Sequence, residues 1–188
     1  MRVAVVDNGG QFTHLEGRAF RDLGVEHELV DNQAEPAEVV ESHDAVVLSG
    51  GPRIEDVGRS PDYLSFDVPV LGICLGHQLI ARELGGEVEA GDHGGYADVE
   101  IEVVEPGGLF DGVPAEFRAW ASHADEVVEL PEGFRTTARS DVCEIEAMEH
   151  VDRAIYGVQF HPEVSHTEHG LDVLRNYVEI AERHAGGP

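Results

Sequence analysis

An apolar strand runs directly into a helix at Val68-Pro69-Val70-Leu71-Gly72-Ile73-Cys74-Leu75-Gly76-His77-Gln78. Gly72 and Gly76 flank Cys74 at the spacing of a nucleophile elbow, where glycines allow a tight turn that lifts the central side chain out of the sheet. The start of a helix favours a thiolate, and the N–H of Leu75 would point toward an oxyanion formed on a substrate. We interpret Cys74 as a catalytic nucleophile; the alternative is a structural cysteine buried beside a tight turn.

A thiolate nucleophile needs a base, and the base needs a group that orients it. The apolar segment that ends in Gly157-Val158-Gln159-Phe160 is followed at once by His161-Pro162-Glu163. Because the carboxyl ends of parallel strands line one crevice, His161 and Cys74 are expected to meet there. We predict a Cys74–His161–Glu163 triad; a surface histidine in a loop is the alternative for His161.

Apolar runs alternate with helical patterns along the first half of the chain, which indicates a parallel sheet with right-handed crossovers. The predicted strands are 3–6, 25–30, 45–48, 68–73, one around 99–103, 117–121, 126–130, 134–139, 142–147 and 155–160. The predicted helices cover 12–23, a segment opened by Pro36 with Ala37 and Val40 inward, one that carries Leu79, Ile80 and Leu84, and 171–181. The predicted fold class is therefore α/β, an open, mostly parallel sheet flanked by helices, with a smaller antiparallel sheet.

The composition is strongly acidic: 188 residues carry a formal net charge of −26, and all 12 basic residues are arginine. A basic stripe for nucleic-acid phosphates is absent, and an anionic membrane would repel this surface. We interpret the charge as adaptation to a salty cytoplasm, where ions screen self-repulsion. An ordinary acidic protein whose charge only aids solubility is the alternative.

Short features of the sequence bear on membrane binding, cellular compartment, disulfide bonds and metal binding. No apolar run approaches the roughly 20 residues that span a bilayer, and the N-terminus reads as too short for a signal peptide, so we expect a cytoplasmic protein with no membrane partner. Two cysteines, Cys74 and Cys143, make no disulfide framework. The histidines His161, His166 and His169 match no trusted ligand spacing, and we expect no metal.

On these motifs the chain resembles the class I glutamine amidotransferases, whose Cys–His–Glu triad hydrolyses the side-chain amide of glutamine. The resemblance covers essentially residues 1–188 as one type 1 amidotransferase domain and implies a flavodoxin-like fold. It rests on Gly72–Gln78, on Val158–Val164 and on Leu48–Pro52, which looks like the family's oxyanion loop. Within the family, the segments 7–14, 120–125 and 161–170 look like the separate glutaminase subunits of archaeal-type GMP synthases.

The resemblance implies further roles. The N–H groups of Gly51 and Leu75 would form the oxyanion hole. The residues implied to bind glutamine are Gln78, Ser122, His123 and Ala124. The glutaminase step would need no metal or organic cofactor. The expected partner is an ATP-pyrophosphatase subunit that uses ATP and Mg²⁺ to activate XMP, because this sequence has neither a glycine-rich phosphate loop nor a lysine to serve one.

One segment departs from the pattern of the resemblance. At Asp92-His93-Gly94-Gly95-Tyr96, only the tyrosine and the glycines resemble the segment that faces the synthetase in this family. Three other functions stay open. The chain could serve anthranilate, aminodeoxychorismate or carbamoyl phosphate synthesis, act as a catalytically silent regulatory subunit, or hydrolyse γ-glutamyl peptides through the same triad. Ammonia release from glutamine, with and without candidate synthetase chains, separates these hypotheses.

Overall fold

The computed structural model describes residues 1–187, and for residues 92–97 it describes the backbone only. The strands are β1 (Arg2–Asp7), β2 (Glu26–Asp31), β3 (Ala45–Leu48), β4 (Val70–Ile73), β5 (Glu87–Val103), β6 (Glu116–Glu129), β7 (Phe134–Arg139), β8 (Ala147–His150) and β9 (Ile155–Val158). The helices are α1 (Thr13–Asp22), α2 (Pro36–Ser42), α3 (Leu75–Glu83) and α4 (Gly170–Ala185). Within the described residues the strands form one sheet in the order β2-β1-β3-β4-β9-β8-β7-β5-β6.

The first five strands in that order are parallel to one another, so the predicted parallel sheet is confirmed. Their order is that of flavodoxin-like doubly wound sheets. The inner strands are apolar on both sides because helices cover both faces. Val3 and Val5 pack in the cluster that contains apolar residues of α1 and α4, whereas Ala4 and Val6 pack with those of α2 and α3.

The antiparallel part is an extension of the same sheet rather than a separate one. Strand β8 pairs antiparallel with β9, and β7, β5 and β6 follow outward. The predicted strands 117–121 and 126–130 are one strand, β6. The polar residues between them break the hydrophobic alternation in the sequence, but backbone pairing does not require apolar side chains.

The strand predicted at 142–147 is wrong, because the pairing segment is β8, which starts at Ala147. Ser140 Oγ accepts hydrogen bonds from the N–H groups of Val142 and Cys143, at 3.3 and 3.1 Å. These bonds hold the preceding segment in a turn and remove those donors from any strand ladder. The outer part of the sheet therefore begins later in the chain than the apolar pattern indicated.

Three smaller expectations also change. In α2 the buried side chains are those of Pro36 and Val39, while Ala37 is exposed and Val40 half-buried. Strand β4 starts at Val70, because the proline before it has no N–H to donate. Strand β9 ends at Val158. The expectation for the segment 92–96 falls on side chains outside the described residues and stays a prediction.

Candidate active site

The nucleophile elbow lies between β4 and α3 at the carboxyl edge of the parallel strands. Cys74 has φ +54°, a left-handed conformation that is rare for a residue with a side chain. A Cβ on Gly72 would lie 2.4 Å from the backbone of Gly76, and one on Gly76 would lie 2.0 Å from Leu48 O. Only glycines fit at both positions, and α3 can therefore start close against the sheet. Cys74 lies directly before the first turn of α3 and is 7% exposed.

His161 and Glu163 follow β9, the strand next to β4. His161 Nδ1 and Glu163 Oε1 are 2.6 Å apart, and the Glu163 side chain is fully buried. The His161 backbone is fixed on both sides, because its N–H donates to Trp120 O at 3.0 Å and its carbonyl accepts from Thr167 Oγ1 at 2.6 Å. These contacts orient the imidazole with Nδ1 toward the carboxylate.

The surroundings of His161 favour its charged form. Burial alone would lower the pKa of His161, but its hydrogen bonds to Cys74 and Glu163 and their charges outweigh burial and raise the pKa from 6.5 to about 10. At neutral pH the ring is therefore protonated, and its positive charge faces the cysteine sulfur. This arrangement can both attack a carbonyl carbon and deliver a proton to a leaving group.

The loop after β3 lies beside Cys74. Ser49 anchors it to the end of β1: Asn8 N–H donates to Ser49 Oγ at 3.0 Å, and Asn8 Nδ2 donates to Ser49 O at 3.1 Å. A Cβ on Gly51 would lie 2.4 Å from Asn8 O and 2.8 Å from a methyl group of Leu75. Leu75 is the first residue of α3, so its N–H has no acceptor within the helix. Gly51 and Leu75 both line the cavity of Cys74.

A cavity of about 850 Å³ opens in front of the cysteine, which suits a small molecule. Eight of the nine sequence-predicted site residues line it, namely Cys74, His161, Gly51, Leu75, Gln78, Ser122, His123 and Ala124. Glu163 is the ninth and lies behind His161. The amide nitrogen of Gln78 already donates to Asp125 O at 2.7 Å, and Ser122 O accepts from the Cys74 thiol at 3.6 Å. Burial lowers the pKa of His123 despite its bond to Asp125 O, so this ring is neutral.

Sequence reasoning missed three side chains around the triad. Gln159 Nε2 donates to Cys74 Sγ at 3.7 Å, and its Oε1 accepts from Gln78. Thr167 supports His161, as described above. Glu16 lies on the buried face of α1 and reaches the cavity. Its signal in the sequence is a carboxylate three residues from Ala19 and four from Phe20, on the apolar side of a helix.

Neither a metal cluster nor a membrane-spanning helix occurs among the described residues. Within 1–187, the side chains of 92–97 aside, no three histidine, cysteine or acidic side chains are placed to hold a metal ion together. In the same part of the chain, no helix combines the length and apolar character needed to cross a membrane.

Comparison with known proteins identifies the family. The model of the family described as glutamine amidotransferase class-I matches residues 4–181. The chain belongs to the class I glutamine amidotransferases. This amidotransferase is 59% identical over 177 residues to a subunit of the glutamine-hydrolysing GMP synthase of Haloquadratum walsbyi, with 94% of this chain and 96% of that protein covered. It is also 59% identical to the corresponding protein of Natronomonas pharaonis, over 95% of this chain and 97% of that protein.

A solved structure confirms the fold of the amidotransferase. The crystal structure of a protein from Thermoplasma acidophilum, described as one subunit of a GMP synthase, superposes with a TM-score of 0.94 at 38% identity. The match covers 99% of this chain and 96% of that one. The predicted α/β class and the family resemblance are therefore both confirmed. The relatives from H. walsbyi and N. pharaonis are each named as one subunit of their enzyme, which implies that the enzyme contains at least one other.

Proposed function

We propose that the chain is the glutaminase subunit of a GMP synthase. It hydrolyses glutamine to glutamate and ammonia, and a separate ATP-pyrophosphatase subunit uses the ammonia to convert XMP to GMP. The observation that carries this proposal is the meeting of Cys74 with the His161–Glu163 pair at one cavity, in a chain 59% identical to one subunit of a GMP synthase. Residues 1–188 act as one amidotransferase domain.

The first half-reaction transfers the γ-glutamyl group to sulfur. Cys74 Sγ attacks the amide carbon of glutamine while its proton resides on His161. The N–H groups of Gly51 and Leu75 stabilise the oxyanion of the tetrahedral intermediate. His161 then donates its proton to the amide nitrogen, the C–N bond breaks, and ammonia leaves a γ-glutamyl thioester on Cys74.

The second half-reaction hydrolyses the thioester. The neutral His161 takes a proton from water, and the oxygen of that water attacks the thioester carbon. The intermediate collapses, the C–S bond breaks, and glutamate leaves while Cys74 Sγ and the protonated His161 are restored. Glu163 accepts a hydrogen bond from Nδ1 throughout, so it holds the ring orientation and stabilises the charged form.

Glutamine would lie between the oxyanion loop and strand β6. Ser122, His123 and Ala124 line the cavity, and their backbone would hold the amino-acid end of the substrate. The amide nitrogen of Gln78 is engaged within the protein, so a contact with glutamine would use its amide oxygen. Thiolate and imidazole supply both the nucleophile and the proton transfers. The hydrolysis of glutamine therefore needs no metal or organic cofactor from the chain, and ATP and Mg²⁺ serve the partner subunit.

Ammonia release from glutamine tests the proposal. The chain is assayed at molar KCl alone and with the ATP-pyrophosphatase subunit, ATP, Mg²⁺ and XMP. We expect low activity alone, a clear rise in the complex, and GMP formed from glutamine. Cys74→Ala should abolish glutamine-dependent GMP formation but leave GMP formation from added ammonia intact, because only the nucleophile is lost.

Cys143→Ala is the matched control, since burial and the charge of Glu146 raise the pKa of that thiol and it takes no part in the mechanism. This variant should keep its glutaminase activity. Turnover of glutamine by purified Cys74→Ala would contradict the nucleophile assignment. Wild-type glutaminase activity that responds only to a different synthetase chain would contradict the assignment to GMP synthesis.

A further inference from the structure

Glu16 is a buried carboxyl in the catalytic centre for which the mechanism above has no role. It lies on α1 and is 1% exposed, and it lines the same cavity as Cys74, Gly51 and His161. A carboxylate in such a place is destabilising unless it is paired or protonated. The position therefore requires a physical explanation.

One contact ties Glu16 to the reacting groups. The N–H of Gly50 donates a hydrogen bond to its carboxyl. Gly50 lies between the nucleophile and the base: a Cβ on it would be 3.6 Å from His161 Cε1 and 3.7 Å from Cys74 Cβ. The next residue is Gly51. The carboxyl of Glu16 thus holds the backbone that carries one donor of the proposed oxyanion hole.

The two buried carboxyls of the site act on each other. Glu16 and Glu163 each have an oxygen, Oε2, without a hydrogen-bond partner among the described residues. Burial, and after it the negative charge of Glu163, raise the pKa of Glu16 well above its ordinary range, although His161 and the Gly50 N–H act in the opposite direction and Cys74 adds to the rise. Glu16 is therefore the protonated member of the pair.

Other elements packed against α1 contribute groups with partners of their own. Asp7, at the end of β1, accepts a hydrogen bond from its own turn. His27 on β2 bonds a backbone carbonyl, and Tyr177 on α4 donates to two backbone carbonyls. Arg53, Glu55 and Asp125 line the same cavity, but the charges that shift the pKa of Glu16 are those of Glu163, His161 and Cys74.

We propose that Glu16 is a positioning residue for glutamine hydrolysis: its uncharged carboxyl holds Gly50 and so keeps Gly51 in place beside Cys74. The proposal rests on the glutaminase function proposed above. An ionised Glu16 would place a second negative charge beside Glu163 and the attacking sulfur, which would disfavour the thiolate form of Cys74. The ionisation of Glu16 therefore couples the pH of the solution to catalysis through its charge, and not through the hydrogen bond to Gly50, which an ionised carboxylate also accepts.

Two substitutions separate the hydrogen bond from the charge. Glu16→Gln keeps an acceptor oxygen for Gly50 N–H and cannot ionise, whereas Glu16→Leu has a similar size and no acceptor. Glutamine hydrolysis by the complex is measured from pH 6 to pH 10, together with alkylation of Cys74 by iodoacetamide, followed by peptide mass spectrometry. Thermal unfolding verifies that each variant is folded.

The proposal predicts opposite results for the two variants. Glu16→Leu should lower kcat at least about tenfold with KM changed less than about threefold, because oxyanion donors act on the transition state. Glu16→Gln should retain at least about a third of the wild-type kcat at pH 7, and its loss of activity at alkaline pH should begin at a higher pH than in the wild type. At alkaline pH its Cys74 should be alkylated faster than that of the wild type, because the variant has no second negative charge near the sulfur.

Three results would overturn the proposal. Glu16→Leu could keep the kcat of the wild type, or Glu16→Gln could lose as much of its kcat as Glu16→Leu does. The third is a loss of activity at alkaline pH that begins at the same pH in Glu16→Gln and in the wild type. Failure of the function itself is distinguishable. A wild-type complex that releases no ammonia refutes the glutaminase proposal, and the pH profiles of Cys74 alkylation then decide the role of Glu16 alone, since that reaction requires no glutamine.

Discussion

At the scale of single residues, burial gives ionisable side chains different charges. Burial lowers the pKa of His77 to about 3, so this ring is neutral and bonds Ile145 O at 3.2 Å. Burial raises the pKa of Glu146 to about 7, against the hydrogen bond from Ser140. Ser140 Oγ donates to Glu146 Oε1 at 2.7 Å, and Oε2 has no partner among the described residues. Glu146 is thus a carboxyl whose ionisation opposes folding near neutral pH.

Replacing Glu146 by glutamine should stabilise the protein above neutral pH. The folded-state pKa of about 7 lies above the ordinary value of 4.5, so the folded state binds more protons between these values and wild-type stability falls as pH rises from 4.5 through 7. Glu146→Gln keeps an acceptor for Ser140 and has no such loss. At pH 8 we expect a free energy of unfolding higher by on the order of 2 kcal/mol, measured by denaturant titration.

Glu144→Gln is the matched control, because it removes the same charge two residues away at an exposed position. Its free energy of unfolding should change by less than about 0.5 kcal/mol, as for most surface substitutions. The difference between the two variants should become small at pH 4, where Glu146 is protonated in the folded protein. A stability of Glu146→Gln that follows the wild-type pH profile would contradict the prediction.

At the scale of elements, the elbow depends on the contact between α3 and β3. Gly76→Ala would place a methyl group 2.0 Å from Leu48 O, and backbone atoms cannot move aside as a flexible side chain can. We expect a loss of at least about 2 kcal/mol in the free energy of unfolding, and a slower alkylation of Cys74 in the molecules that fold, because the start of α3 must shift. Denaturant titration and peptide mass spectrometry measure the two effects.

Gly186→Ala serves as the comparison, since Gly186 ends α4 with φ −73° and a Cβ there would meet Glu182 O at an ordinary 3.4 Å. The free energy of unfolding of this variant should match that of the wild type within about 0.5 kcal/mol. Its Cys74 should be alkylated at the wild-type rate. Equal effects of the two substitutions would show that the packing of α3 on β3 does not determine the elbow.

The parallel half of the fold was predictable from the sequence because its physical signal is local. A strand buried on both faces is a continuous apolar run, as at residues 3–6 and at Ala45–Leu48, and amphipathic helices alternate with most of these runs along the chain. In the antiparallel half the signal weakens. The middle of β6, around Ser122–Asp125, is polar because it lines the cavity, and the turn at Ser140 is held by a side chain that periodicity does not register.

The candidate site was predictable only as far as local geometry determines it. Cys74 stands out through its two glycines, and His161 through its position after an apolar strand. Glu16 does not, because its contact with Gly50 and its interaction with Glu163 depend on how α1 packs over the ends of β3 and β9. Sequence periodicity places Glu16 on the inner face of α1 but cannot show which groups lie opposite.

At the scale of the whole molecule, the net charge of −26 means that most carboxylates have no arginine to pair with. Ten of the twelve arginines already lie within 4 Å of a carboxylate. Like charges also oppose each other across β5 and β6, where Glu87 pairs with Glu129 and Glu102 with Glu116. Such cross-strand pairs are destabilising, so ions from the solvent must supply the remaining screening, in the free chain and at any contact with an acidic partner.

Salt should therefore stabilise the folded protein strongly. The screening length falls from about 10 Å at 0.1 M to about 3 Å at 1 M, and we expect the midpoint of thermal unfolding to rise by at least about 10 °C between 0.1 and 3 M KCl.

The double variant Glu87→Arg/Glu116→Arg replaces two repulsive cross-strand pairs by attractive ones. It should melt about 2–4 °C higher than the wild type in low salt and gain less from added KCl. A wild-type midpoint independent of KCl would refute salt adaptation. A double variant that gains as much from KCl as the wild type would show that salt acts through general exclusion from the surface rather than by screening these carboxylates.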